Sequence, residues 1–212
     1  MIDDSHLPDD MTDIEWHVKN IVKRAVPVVK VSNHNGVLYF EDGVFQSFAI
    51  KDLLLPTMKG FWVPIQIGNA AVVTISHNEL IGLKNLDPHI GGRLTLLTSK
   101  MRSFELSPLL SANQLNIAGC VNLNDFSKLP SVFTQLIINE EQLKGNLHKL
   151  MTKCSVGCSI KINCLVHDKI NPTQAADMSD IISHAIEHGD DPKAKFYKLQ
   201  QDLVDAGFEE YV

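Results

Sequence analysis

Three thiols and an imidazole crowd one short stretch, Cys154-Ser-Val-Gly-Cys158-Ser-Ile-Lys-Ile-Asn-Cys164-Leu-Val-His167. Thiolate and imidazole are the ligands zinc prefers, so this cluster is the first candidate for chemistry. Its spacing argues against a metal. Cys158, Ile160, Ile162, Cys164 and Val166 alternate with Ser159, Lys161, Asn163, Leu165 and His167, the period of an extended strand. Along such a strand Cys158 and Cys164 stand about 20 Å apart, too far to share one ion. The thiols are therefore expected as small buried apolar groups, with no metal and no cofactor.

His184-Ala-Ile-Glu187-His188 matches the H-x-x-E-H arrangement of one metallopeptidase class, with both imidazoles on one helical face. That chemistry also needs a third ligand downstream. The segment after His188 reads as a capped amphipathic helix, and Glu209 and Glu210 are the only late carboxylates outside it. Solvated histidines are the expectation here. No G-x-S-x-G, phosphate-binding P-loop or G-x-G-x-x-G occurs, and the central acidic residues are isolated, so no acid–base pair presents itself. The chain reads as non-enzymatic.

The basic residues offer a different chemistry. Arg93, Lys100 and Arg102 flank the apolar run Leu94–Leu97, with Phe104 close by, and Lys161 lies on the polar side of a late strand. Cations beside an aromatic ring can track a phosphate backbone and stack a base. Charge distribution allows this. Residues 51–170 hold 12 Lys+Arg against 8 Asp+Glu, so within the net charge of −6 the middle carries +4 and the two ends −10. Arg93, Lys100, Arg102 and Lys161 are thus the candidate nucleic-acid-binding residues.

The elements that would carry these residues fall into three parts. Residues 1–27 form an acidic start and an amphipathic helix, with Ile14, Val18, Ile21, Val22 and Ala25 on one face and Pro27 as its stop. Residues 28–170 are short segments rich in β-branched and apolar residues. Candidate strands lie at 28–32, 37–40, 44–50, 61–67, 70–75, 93–98, 115–123, 132–138 and 158–166. Asn35-Gly36, Asp42-Gly43 and Gly91-Gly92 are read as turns, and Glu140–Leu150 as a short helix. Residues 171–212 form a helical hairpin: one helix from a Thr173 cap to about His188, and a second opened by Asp191-Pro192 and closed at Gly207. No internal repeat stands out. The expected fold is mainly β with flanking helices, an α+β chain built on an antiparallel β-sandwich of jelly-roll type.

Composition sets the remaining bounds. A chain of 212 residues, 44% hydrophobic and 21% charged, is an ordinary globular sequence. Four cysteines are too few for a disulfide scaffold. The polar, acidic start does not resemble a signal peptide, and no apolar window reaches membrane-spanning length. A cytosolic, non-secreted protein is expected.

From Phe61 to Lys169 the sequence resembles the core of the plant-virus movement proteins of the thirty-kilodalton superfamily. The resemblance rests on segment order. FWVPIQI and GGRLTLLTSKMRSF are followed by SPLLSAN and LPSVFTQLII, then by NEEQLKGNLHKL and VGCSIKINCLVH. It implies a jelly-roll-derived sandwich that binds single-stranded nucleic acid without sequence preference and helps viral genomes pass between cells. It also implies a place in the host cytoplasm, at cell junctions or the membrane periphery, with self-association and host-protein contacts. The alternative reading is a self-assembling viral structural protein of matrix or capsid type.

Overall fold

In a computed structural model of the chain, the described residues are 30–34, 37–45, 54–55, 57–164, 169–187 and 191–212. The expected N-terminal helix lies outside them. Among the described residues eight strands are present: β1 (Lys30–His34), β2 (Val37–Phe45), β3 (Gly60–Ser76), β4 (Lys84–Leu86), β5 (His89–Leu97), β6 (Ser111–Asn116), β7 (Ser131–Asn139) and β8 (Ser159–Asn163). Three α-helices follow or interleave: α1 (Leu147–Lys153), α2 (Pro172–Glu187) and α3 (Pro192–Asp205).

All eight strands belong to one sheet, in the order β1-β2-β3-β5-β6-β7-β8, with β4 beside β3. The β1–β2 pair is antiparallel, with His34 opposite Val37. Every later pairing between strands is parallel. This corrects the antiparallel sandwich and its jelly-roll topology. Consecutive strands stack side by side as successive coils of a β-solenoid.

The coil length is visible in the register. Val73 pairs with Leu94, Leu94 with Leu115, and Leu115 with Leu136, each step 21 residues. The chain does repeat, which corrects the reading that it has no internal period. All four side chains are buried, as is Ile160, the partner of Leu136 on β8. The connections repeat too. Leu83, Phe104, Phe126 and Leu147 are buried at spacings of 21 or 22 residues. Each coil contributes a strand pair of apolar residues and a loop residue to one core, and no coil closes that core alone.

Gly91 and Gly92 lie inside β5, not in a turn. A Cβ on Gly92 would come within 2.1 Å of the Ala71 carbonyl oxygen, and one on Gly91 within 2.0 Å of Asn69 Oδ1. Glycine is needed there because β3 approaches so closely.

Buried polar groups bond each coil to the one before. Thr98 Oγ1 donates to Leu80 O at 2.7 Å, and Cys120 Sγ to Leu96 O at 3.3 Å. Asn139 Nδ2 reaches Ala118 O at 2.8 Å, while Gln142 Nε2 reaches both Ile117 O and Cys120 O at 3.0 Å. Each of these buried side-chain donors thus finds a carbonyl of the preceding coil, which avoids the cost of burying it unpaired.

The expected 140–150 helix is two pieces. Asn139 and Gln142 cap a 3-10 turn at Glu140–Gln142, and α1 begins after Gly145, whose φ is +70°. The C-terminal helical hairpin is present, although Asn171 rather than Thr173 caps α2: its Oδ1 accepts from Gln174 N at 3.0 Å. Asp191 caps α3, and Gly207 ends it at φ +83°.

Candidate recognition face

Period-two alternation on parallel strands turns one set of side chains into the core and the other outward. Because the strands are in register, the outward set forms straight rows across the sheet. One row is Arg93, Gln114, Gln135 and Ser159. The next is Thr95, Asn116, Ile137 and Lys161, and Asn163 follows Lys161 at the end of β8. Within the first row Arg93 Nε donates to Gln114 Oε1 at 2.7 Å, and Gln135 Nε2 to Ser159 Oγ at 3.5 Å.

No Asp or Glu occurs in β3, β5, β6, β7 or β8. The face is therefore an array of amides and hydroxyls carrying two permanent cations, Arg93 and Lys161. Three strand steps separate their rows' ends, about 14 Å. Phe133 adds an apolar surface on β7, 49% exposed.

At the last strand the face becomes a cleft. Gln135, Ser159, Lys161 and Asn163 form its floor, and Ala176 and Asp180 of α2 form its wall, around a volume of about 620 Å³. The helix is held there by two hydroxyls. Ser183 Oγ accepts from Ile160 N at 2.9 Å and Ser179 Oγ from Ile162 N at 3.0 Å. These are the backbone donors that β8 turns away from β7. The helix thereby satisfies the sheet's last edge and prevents another strand from adding there.

The four sequence-predicted cations do not gather. Arg93 and Lys161 share the outer face. Lys100 and Arg102 lie in the loop after β5, where Lys100 Nζ pairs with Glu79 Oε2 at 2.5 Å. Arg102 is exposed, and its carbonyl accepts from Asn124 and Asp125 N–H groups. Phe104, expected as a stacking partner, is buried in the core. The amides Gln114, Asn116, Gln135 and Asn163 escaped notice in the sequence. Their signal is the 21-residue recurrence that puts Arg93, Gln114 and Gln135 in one row.

The cysteines are arranged differently from a zinc site. Cys120, Cys154 and Cys158 are buried and Cys164 half-buried, and none is in a disulfide. Cys158 Sγ donates to Ser159 O at 3.7 Å, and the influence of Cys154 and Cys158 on one another holds the Cys154 thiol above its ordinary range and Cys158 below it. Burial pushes Cys120 up to about 12. Among the described residues no group of three or more His, Cys, Asp or Glu side chains is placed to hold a metal. His184 is exposed on α2; His167 and His188 lie outside the described residues. Also among the described residues, no helix is long and apolar enough to cross a membrane.

No family model matches the chain, and neither does any curated protein or solved structure.

Proposed function

We propose that the chain is a non-enzymatic recognition module that binds an extended polypeptide across the outer face of its parallel sheet. The observation that carries this reading is the pair of in-register rows, free of carboxylates, that run from Arg93 and Thr95 into the cleft beside α2. Side-chain amides both donate and accept, so rows of them suit the alternating donors and acceptors of a peptide backbone. The coil spacing is similar to that of leucine-rich repeats. Ala112, Leu115, Ile117 and Cys120 stand at the first four fixed positions of that pattern, with Leu123 one residue past the last, in an architecture whose curved strand face commonly binds partners.

Single-stranded nucleic acid is the less favoured ligand. Arg93 and Lys161 supply two cations in a face otherwise neutral, and Lys100 is already paired with Glu79. Backbone-tracking proteins gain affinity from many phosphate contacts, and two give little. The sandwich that the movement-protein resemblance implied is absent, so genome transport has no support from the fold.

The test is a peptide-display selection against the full chain, followed by calorimetry with the selected peptide. The double change Gln114→Ala with Gln135→Ala should weaken binding by about tenfold, the loss of one or two net hydrogen bonds. Arg102→Ala should leave it unchanged. A gel shift with single-stranded oligonucleotide at low salt serves as the counter-test. A shift abolished by Arg93→Ala with Lys161→Ala, and not displaced by the peptide, would assign the face to nucleic acid and overturn the proposal.

A further inference from the structure

We propose that the cleft between β8 and α2 takes the free amino terminus of the bound polypeptide, together with an acidic side chain on its first residue. This rests on the reading that the outer face holds an extended chain, and it names the end that enters the cleft. The sheet stops at β8, where α2 is fixed along the edge by Ser179 and Ser183. A chain crossing the outer face from β5 therefore meets the α2 wall and ends there.

Two opposite charges line the cleft, Lys161 on its floor and Asp180 on its wall. Elsewhere on the surface Lys100, Lys144, Lys149, Lys169 and Lys198 each pair with a nearby carboxylate. Neither the Lys161 nor the Asp180 side chain has an ion-pair or hydrogen-bond partner among the described residues, and the two do not pair with each other. The space between them has the volume of about 620 Å³ given above, inside the range of roughly 300–1,000 Å³ usual for small-ligand sites. A group that fills it must present positive charge to α2 and negative charge to β8.

A backbone carbonyl adds to the demand for a donor. Ile162 N donates to Ser179 Oγ at 3.0 Å, so the Ile162 peptide groups face α2 rather than β7. The Ile162 side chain is in the core, and what the residue presents to the cleft is its backbone. One coil position earlier, Ser183 Oγ donates to Ile160 O at 3.4 Å. Ser179 Oγ cannot do the same for Ile162 O, because its proton goes to Ala175 O at 2.5 Å. Among the described residues no other donor reaches Ile162 O.

These groups fix which end of the chain enters. An α-ammonium has three N–H donors, enough for the Asp180 carboxylate and Ile162 O together. A carboxylate on the first side chain then pairs with Lys161. A carboxyl terminus would meet Asp180 as a like charge and leave Ile162 O without a donor. From β8 back to β5 is about 14 Å, the length of about four extended residues, so a tetrapeptide spans the face.

The experiment follows backbone amide shifts of the nitrogen-15-labelled full chain during titration with synthetic tetrapeptide pools. One pool has Asp first, a free amine, an amidated end and three positions randomised without Cys, His, Lys or Arg. Matching pools are N-acetylated or begin with Asn. The free-amine Asp pool should shift Ser159, Lys161 and Asp180 saturably, and acetylation or Asn should each weaken binding by about tenfold. Asp180→Asn should make the free and acetylated pools bind alike, and Lys161→Gln should do so for the Asp and Asn pools. Peak dispersion checks that each variant is folded. Equal affinity of free and acetylated pools for the wild type would overturn the proposal. So would free aspartate binding as tightly as the Asp pool, which would make the cleft an amino-acid site. Shifts at Gln114 and Gln135 with none at Ser159 or Asp180 would overturn it while sparing the outer-face reading. No shift at either place would remove both.

Discussion

Glu140 shows how one buried group can hold the end of the chain. It is fully buried, and its Oε2 accepts from the backbone N–H of Lys169 at 2.8 Å and of Ile170 at 3.3 Å. The Tyr211 hydroxyl donates to its other oxygen. Burial and this carboxylate raise the Tyr211 pKa well above its ordinary value. Glu140→Ala strands three donors, two of them buried, and should cost about 3 kcal/mol, against about 1 kcal/mol for Tyr211→Phe. Urea denaturation checks both, and equal midpoints for wild type and Glu140→Ala would refute the anchoring role. The same groups predict an alkaline limit. Tyr211 and Cys120 have folded pKa values above their ordinary 10.0 and 9.0, so the folded state keeps protons that the unfolded chain releases. Their contribution is full below about pH 9 and is lost as pH rises toward 12. Melting temperature followed between about pH 8 and 11 should fall, and Tyr211→Phe should fall less steeply. None of this was legible in the sequence, where Glu140 sits in an acidic pair and Tyr211 lies far away.

The strands were legible because alternation marks an exposed and a buried side whatever the neighbour's direction. Their pairing was not, because alternation usually marks an antiparallel sheet with one solvated face, whereas here a parallel sheet leaves one face open. The discriminating signal was connection length. Leu97 to Ser111 and Asn116 to Ser131 are far too long for hairpins, and apolar residues such as Phe104 and Phe126 recur within them. Gly91-Gly92 misled for a related reason: a glycine pair reads as a turn, yet here it marks a close approach of β3. Gly92→Ala should therefore destabilise the fold by about 2 kcal/mol or more, since its Cβ would meet the Ala71 and Gly68 carbonyls. A surface control such as Lys84→Ala should be near neutral. The phase of β8 was legible and gives a sharper contrast. Ile162 is buried and Lys161 exposed, so Ile162→Asp buries an unpaired charge and should unfold the protein. Lys161→Asp should shift the melting temperature little. Similar losses for the two would show the phase to be wrong.

For the molecule as a whole, a stack of coils stands or falls with its ends, since each coil rests only on its neighbours. The β1–β2 hairpin lies at one end of the sheet, and α2 covers the β8 edge at the other through Ser179 and Ser183. The stacking also makes the outer face continuous, because rows such as Arg93–Gln114–Gln135 exist only if coils of 21 residues lie parallel and in register. Nuclear Overhauser contacts across the sheet test that arrangement most directly. Backbone amide and Hα contacts should connect Thr95 with Asn116 and Asn116 with Ile137, and strong Hα–Hα contacts should be absent between β5, β6 and β7. Strong Hα–Hα contacts between β5, β6 and β7, the mark of antiparallel pairs, would contradict the stacked coils and remove the recognition face with them.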